Sequence, residues 1–218
     1  MKLESLFTDQ SLFTLALTHR SWVNEHANSR ESNERLEFLG DAILEFIVSK
    51  EIFKQFPDKE EGYLTVLRAN LVNTVNLAKL AQKLGLGEKL LLSKGEEETG
   101  GRTNTSLLAD TVEAIIGALF IDGGIAKAED FIQTQLLATI DETLAMPLKD
   151  AKSRLQEIVQ SQGLPAPRYI VAHENGPDHS KEFTIEVLVD GKPIAQGTGK
   201  NKSEGAQKAA EKALEVYT

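Results

Sequence analysis

Hydrophobic residues recur at intervals of three and four along the first two thirds of the chain, which is the period of an amphipathic α-helix. The pattern is clearest in the segments DAILEFIVSKEIFKQF, YLTVLRANLVNTVNLAKLAQKLGL, SLLADTVEAIIGALFI and IAKAEDFIQTQLLATI. Turn-forming residues separate these segments, among them Pro57 and the glycines of LGLG and IDGGI. Residues 1–145 are therefore predicted to form an all-α domain.

The pattern changes after Pro147, which marks a predicted joint. One short helix is predicted over AKSRLQEIVQSQGL, and apolar residues then alternate with polar ones in RYIVAHE and KEFTIEVLVDGKPIAQGTG. The pair Asp190-Gly191 is a strong signal for a hairpin turn, and KSEGAQKAAEKALEVY returns to the helical period. The predicted fold class is multidomain, with the all-α domain followed by a small α+β domain (α-β-β-β-α) over residues 148–218.

Composition narrows the class of protein. The 218 residues include no cysteine, which excludes a disulfide framework and a thiolate metal site. No apolar run approaches the roughly 18 residues that would span a membrane, and the N-terminal segment does not resemble a signal peptide. We therefore expect a cytoplasmic protein with no membrane partner.

The charge is unevenly distributed between the two predicted domains. The chain has a net charge of −9, yet residues 148–218 are neutral, so the first 147 residues carry all of it. A net negative charge argues against a polyanion partner when it is considered alone. The uneven distribution instead supports two domains with different electrostatic properties.

Acidic residues with helical spacing interrupt two of the most apolar segments. Glu34, Glu37 and Asp41 share one helix face, and Asp110 and Glu113 share a face of another helix. Buried carboxylates are costly unless they are paired or bind a cation. If the two helices pack together, four of these acids (Glu37, Asp41, Asp110 and Glu113) form an oxygen-lined site of the kind that Mg²⁺ prefers. Such an ion can activate water for phosphodiester cleavage.

Acids with this spacing have two other interpretations. The acids can be ordinary surface charges or ion-pair partners of nearby arginines, but Gly40, directly before Asp41, suggests that something approaches this backbone closely. A di-iron carboxylate bundle requires Glu-x-x-His on two helices. None of the four histidines has that spacing, so the di-iron interpretation is rejected.

Three motifs resemble those of one enzyme family. NERLEFLGDAIL resembles the signature segment of bacterial ribonuclease III, SLLADTVEAIIGALFIDGG resembles its second acidic motif, and LTHRSW is similar to its N-terminal motif, with Trp22 where tyrosine is usual. The resemblance implies cleavage of double-stranded RNA to 5′-phosphate and 3′-hydroxyl ends with short 3′ overhangs. It also implies processing of ribosomal RNA precursors and other structured RNAs.

The resemblance also implies roles for individual acids. On this resemblance, Glu37 and Asp110 would hold Mg²⁺, for which Mn²⁺ could substitute. Glu113 would be both a ligand and essential for turnover, and Asp41 would be a catalytic residue that helps to position the ion or its nucleophilic water.

Three further residues match family positions. Glu34 and Glu61 correspond to acids near the cleft. Phe38 corresponds to a residue that projects across a two-fold interface, so the resemblance implies a homodimer in which each subunit cuts one RNA strand.

The second domain resembles a double-stranded RNA-binding domain, a module that recognises the shape of the A-form helix. Nine residues match its three contact regions: Gln156, Gln160, Gly176, Pro177, Asp178, His179, Lys200, Lys202 and Lys208. The third region departs from the usual KKxAEQ pattern, because Ser203 replaces a basic residue and Glu204 adds an acid. This departure predicts weaker and more salt-sensitive RNA binding.

Two other functions are compatible with parts of the sequence. A double-stranded RNA-binding protein that regulates or chaperones RNA would need no intact acid set, whereas all four acids are present here. A purely structural helical scaffold leaves the second domain unexplained. The acids favour the endonuclease.

Overall fold

The computed structural model describes residues 3–26, 30–140, 150–177 and 181–217. Its Cα positions fall into two compact units, Met1–Met146 and Pro147–Thr218. The predicted joint around residues 145–148 lies outside the described residues, so its position stays a prediction.

The first unit is all-α, which confirms the predicted fold class. Its described residues include one isolated bridge, between Thr18 and Leu91, and short 3₁₀ turns at Leu3–Leu6, Gly87–Lys89, Gly101–Thr103 and Leu137–Thr139. The helices are α1 (Gln10–Ala16), α2 (Arg20–Glu25), α3 (Glu34–Gln55), α4 (Glu61–Val72), α5 (Thr74–Lys83), α6 (Lys94–Glu98) and α7 (Thr105–Gln135).

Helices α3 and α7 form the centre of the first unit. Leu44 and Ile47 of α3 and Val112 and Ile115 of α7 are completely removed from solvent. These residues recur at three- and four-residue intervals, so each helix turns an apolar stripe towards the core.

Two glycines allow the backbones of α3 and α7 to touch. A Cβ atom added at Gly40 would lie 1.8 Å from the carbonyl oxygen of Glu113, and one added at Gly117 would lie 2.2 Å from that of Leu36. No side chain fits at either position. The expectation that something approaches the backbone at Gly40 is confirmed, and the approaching element is α7.

At two places the helices end or bend differently from what the hydrophobic pattern predicts. The pattern runs unbroken through Asn73, yet α4 ends at Val72 and α5 begins at Thr74, because the Asn73 side chain accepts a hydrogen bond from the N–H of Asn76. The glycines of IDGGI produce a kink rather than a loop. Gly124 has a φ of 76°, and helical structure continues on both sides of it.

The second unit has the predicted α-β-β-β-α order. Its elements are α8 (Ala151–Ser161), β1 (Arg168–Asn175), β2 (Glu182–Val189), β3 (Lys192–Gly199) and α9 (Lys202–Tyr217). The strands form an antiparallel sheet in the order β1-β2-β3. Asp190 and Gly191 both have positive φ, at 50° and 74°, which is the conformation of a type I′ hairpin turn.

Both helices of the second unit contribute to one core. Leu155 of α8, Val187 of β2 and Ala209 of α9 are completely buried within it. The start of α8 is also tied to α9, since Gln207 Nε2 donates to Asp150 Oδ1 at 2.9 Å.

Candidate functional site

Three carboxylates from the two central helices meet at one point. Glu37 of α3 and Asp110 and Glu113 of α7 each offer a carboxylate oxygen, and these oxygens lie within 4.8 Å of one another. All three side chains are half-buried. Among the residues that the structure describes, no other three acidic, histidine or cysteine side chains meet this distance. We call Glu37, Asp110 and Glu113 the carboxylate cluster.

Burial and mutual repulsion both resist ionisation of the carboxylate cluster. Burial is the largest cause that raises the pKa of Glu113 to about 7, and the charges of Asp41, Asp110 and Glu37 raise it further. Burial likewise raises the pKa of Glu37 and of Asp110. A bound cation would remove this cost, because an opposite charge stabilises the ionised form of each acid.

Asp41 lies at the rim of the cluster rather than inside it. Its side chain is exposed, and it is not among the three acids whose oxygens lie within 4.8 Å. Its charge nevertheless raises the pKa of both Glu37 and Glu113. Asp41 therefore faces the cluster from the solvent side, where it can contact a water or a phosphate bound there.

A cleft of about 370 Å³ opens beside the cluster, and Glu37 and Asp110 form part of its wall. His19 and Arg20 also line it. The Nδ1 atom of His19 accepts the N–H of Ser21 at 3.2 Å, so the other ring nitrogen carries the proton of a neutral ring. Sequence reasoning used this histidine only as part of LTHRSW and missed its place in the cleft.

Glu34 is a paired acid at the edge of the same cleft. It accepts hydrogen bonds from Ser32 Oγ at 2.8 Å and from Arg20 at 3.1 Å. The bond from Ser32 is the largest cause that lowers the pKa of Glu34. Glu34 therefore stays ionised and balances Arg20, which differs from the behaviour of the carboxylate cluster.

Glu61 lies outside the cluster in the single chain. It is exposed at the first position of α4, and its Oε1 accepts the Thr65 hydroxyl at 2.7 Å. It lines neither the cleft nor the cluster. Its predicted place near the cleft stays a prediction.

Phe38 does not contribute to the core of the chain. It follows Glu37 on α3, and 82% of its surface is exposed. Phe46 and Phe53 are 59% and 73% exposed. The three rings lie within about 80° of one another around the helix axis, so α3 buries one face and leaves an apolar face open.

The predicted RNA-contacting residues of the second unit are exposed where the structure describes them. Gln156 and Gln160 lie one turn apart on α8, and their side chains hydrogen-bond to each other at 3.3 Å. Gly176 and Pro177 follow β1, whereas Asp178 and His179 lie outside the described residues. The three lysines at and after the end of β3 are exposed: Lys200, Lys202 and Lys208.

Comparisons with protein families match both units. Residues 9–140 match the model described as Ribonuclease-III-like, and residues 151–217 match the model described as Double-stranded RNA binding motif. In the described residues, no helix is both long and apolar enough to cross a membrane.

Individual relatives agree with the family models. Ribonuclease 3 from Geobacillus sp. (strain WCH70) is 47% identical, over 98% of this chain and 87% of that protein. Ribonuclease 3 from Pelotomaculum thermopropionicum is 46% identical, over 94% and 86% of the two chains. The solved nuclease domain of ribonuclease III from Campylobacter jejuni is 42% identical with a TM-score of 0.57, and it covers 66% of this chain and 98% of that one.

The resemblance seen in the three sequence motifs is thus confirmed, and so is the predicted fold class. A non-cutting regulator and a helical scaffold both fit these matches less well than a nuclease does. The chain belongs to the ribonuclease III family and is a double-stranded RNA-specific endoribonuclease that contains a helical nuclease domain and a double-stranded RNA-binding domain.

Proposed function

We propose that the protein hydrolyses double-stranded RNA with Mg²⁺ held at the carboxylate cluster, giving 5′-phosphate and 3′-hydroxyl ends with short 3′ overhangs. The observation that carries this proposal is the meeting of three half-buried carboxylate oxygens within 4.8 Å. Their donor atoms suit a hard divalent cation, since Mg²⁺ prefers carboxylate oxygens and retains waters for substrate. Mn²⁺ accepts similar ligands and can substitute.

The acids of the site have different roles in this reaction. Glu37, Asp110 and Glu113 would hold the ion, which when bound supplies charge stabilisation to a phosphate and acidifies a water. Glu113 has the most strongly raised pKa of the three, so it depends most on the ion to stay charged. Asp41, exposed at the rim, would accept a hydrogen bond from the attacking water and orient it.

In this proposal cleavage requires the metal ion and duplex binding does not, so removing the ion separates the two activities. A perfect RNA duplex should be cut to discrete products with Mg²⁺ or Mn²⁺, and a chelator should stop cleavage entirely. Duplex binding should persist with the chelator, because Gln156, Gln160 and the exposed lysines need no ion. Gel electrophoresis and end mapping measure both. A protein that binds the duplex in Mg²⁺ without ever cutting it would contradict the proposal.

We also assign the open face of α3 to a homodimer. Phe38, Phe46 and Phe53 expose three aromatic side chains on one face of α3, and an exposed apolar patch of this kind often marks an interaction surface. The Campylobacter jejuni nuclease domain has a region involved in dimer formation. A two-fold interface across α3 would place two carboxylate clusters in one particle, one for each strand of the duplex.

Replacing Phe38 with alanine should weaken self-association strongly. Full burial of one phenylalanine contributes about 1.5–3 kcal/mol, and a two-fold dimer buries two of them. The dimer Kd should therefore rise on the order of a hundredfold or more, as measured by analytical ultracentrifugation. Val216→Ser removes another exposed apolar side chain, from α9, and should leave the Kd unchanged. A dimer of unchanged affinity in Phe38→Ala would exclude this face.

The cellular substrates follow from the family rather than from the site. We assign the enzyme to ribosomal RNA precursors and other structured RNAs, including messenger and transfer RNA precursors, and to the cytoplasm. Accumulation of uncut ribosomal precursor after depletion of the protein is the expected observation.

A further inference from the structure

The first turn of α9, where RNA phosphates are expected to bind, is already occupied by a carboxylate of the same domain. Glu204 Oε2 accepts the backbone N–H of Lys200 at 2.9 Å, and Glu204 Oε1 accepts the Lys208 ammonium group at 2.8 Å. A backbone N–H group beside a helix start and a lysine ammonium group are donors that a phosphate can use. The Glu204 carboxylate therefore occupies two donors that would otherwise be available to an RNA phosphate.

The position of Glu204 is fixed by its backbone. Its N–H donates to Asn201 Oδ1 at 2.9 Å, which caps the helix. A Cβ atom added at Gly199 would lie 2.5 Å from the nitrogen of Gly205 and 2.8 Å from the Cβ of Glu204. The end of β3 and the start of α9 are thus in direct contact, and the Glu204 side chain begins from a rigid point.

The ion pair affects both of its members. The hydrogen bond from Lys208 is the largest cause that lowers the pKa of Glu204, and the same bond is the largest cause that raises the pKa of Lys208. Each charge therefore offsets part of the field of the other. Lys208 presents less net positive charge to an approaching polyanion than an unpaired lysine would.

A second acid acts in the same way on the neighbouring lysine. Lys202 Nζ lies 3.5 Å from Glu174 of β1, and Lys181 Nζ lies 3.9 Å from the same carboxylate. The Lys202 ammonium group also lies 5.6 Å from the centre of the Phe183 ring. The Glu204–Lys208 pair is the shorter of the two interactions and is a direct hydrogen bond, so it has the larger effect.

We infer that Glu204 is an internal competitor of the RNA phosphate that lowers the affinity of the RNA-binding domain. This inference rests on the proposed RNA-binding surface and names the residue that sets its strength. Binding through Lys208 must break the Glu204–Lys208 bond and leave a carboxylate beside a phosphate. When Glu204 is released from Lys208, its carboxylate attracts a cation from solution, which offsets part of the cation release that accompanies RNA binding. The RNA affinity of the wild type therefore falls less steeply with salt than the number of lysines suggests. This reverses the greater salt sensitivity that the sequence pattern predicts.

Glu204→Gln tests the inference with little change in structure. Glutamine keeps an oxygen that can accept the Lys200 N–H, but it carries no charge. One additional phosphate contact makes the slope of log affinity against log salt concentration steeper by about 0.9. The ratio of the affinity at 0.1 M salt to that at 1 M salt then rises about eightfold. We expect both changes in the full-length protein bound to a perfect RNA duplex in chelator, as measured by fluorescence anisotropy across KCl concentrations.

Glu215→Gln is the matched control. It removes the same charge from an exposed position about 16 Å further along α9, beyond the Debye length of about 10 Å at 0.1 M salt. Its affinity should stay within about twofold of wild type. If Glu204→Gln gains no more affinity than Glu215→Gln, the inference is wrong.

Lys208→Gln provides a second test that leaves the helix cap untouched. In the Glu204→Gln background it should cancel the gain, because the lysine that Glu204→Gln frees is then absent. A gain in affinity that persists in the double variant would overturn the inference, since Lys208 would not be its source. Failure of the wild type and all variants to bind the duplex would instead contradict the RNA-binding function itself.

Discussion

Replacing Glu113 with glutamine is expected to abolish cleavage while leaving duplex binding intact. Glu113 contributes one of the three clustered oxygens and is the group most resistant to ionisation without a cation. A neutral amide cannot replace its charge in holding a divalent ion. We expect kcat/KM to fall on the order of a thousandfold, about 4 kcal/mol of lost transition-state stabilisation.

The same substitution should stabilise the metal-free protein at alkaline pH. The folded state raises the pKa of Glu113 from 4.5 to about 7, so it binds a proton more tightly than the unfolded state does. The contribution of Glu113 to the free energy of unfolding is therefore greatest below pH 4.5 and is lost as pH rises through 7. At pH 8 and above, Glu113→Gln removes this loss. The gain should be about 1–2 kcal/mol after allowance for solvent exposure.

Asp130→Asn is the control for both measurements. Asp130 is an exposed acid on the same helix, α7, and lies outside the carboxylate cluster. Its replacement removes one negative charge and should change neither the cleavage rate nor the pH dependence of the melting temperature in chelator. Substantial cleavage by the Glu113→Gln variant would show that Glu113 is not required for the reaction. If Glu113→Gln raises the free energy of unfolding at alkaline pH by no more than Asp130→Asn does, ionisation of Glu113 does not destabilise the folded protein.

Replacing Gly40 with alanine should cost both stability and activity, although Gly40 has no side chain to lose. Its new Cβ atom would lie 1.8 Å from the carbonyl oxygen of Glu113. The two helices must separate to accept it, at a cost of about 1–3 kcal/mol or more. Separation moves Glu37 away from Asp110 and Glu113, so cleavage should fall by about a hundredfold at a temperature where the variant is still folded. Thermal unfolding and initial rates measure the two effects.

Gly62→Ala is the matched control for Gly40→Ala. Gly62 lies in the first turn of α4, and an added Cβ atom there would contact nothing within 4 Å. Alanine is about 1 kcal/mol more favourable than glycine in a helix, so this variant should be unchanged or slightly stabilised. Full activity and normal stability in the Gly40→Ala variant would show that the contact between α3 and α7 does not determine the geometry of the carboxylate cluster.

The sequence predicted a site of four acids on two helices, of which three meet in the structure and Asp41 lies at the rim, because helical spacing is a local property. Glu37 and Asp110 each lie on an apolar helix, and the acid pairs at three- and four-residue intervals limit the faces that they occupy. Gly40 indicated a close contact but could not identify the partner, since the contact depends on Gly117, far along the chain.

Side-chain caps and ion pairs were less predictable. The break at Asn73 depends on one hydrogen bond from Asn76, which the surrounding hydrophobic period hides. The place of His19 in the cleft depends on the backbone bond from its N–H to the Leu91 oxygen at 3.1 Å. The Glu204–Lys208 pair has ordinary helical spacing, and only the structure shows that it also binds the Lys200 N–H.

The contact at Gly40 and Gly117 has a consequence for ion selectivity. Because backbone atoms of α3 and α7 are already in contact, the two helices cannot move closer together to fit a smaller ion. Mg²⁺ takes oxygens at about 2.0–2.1 Å and Ca²⁺ at about 2.3–2.6 Å. The shorter distances to Mg²⁺ must therefore be reached by the acid side chains rather than by closer approach of the helices.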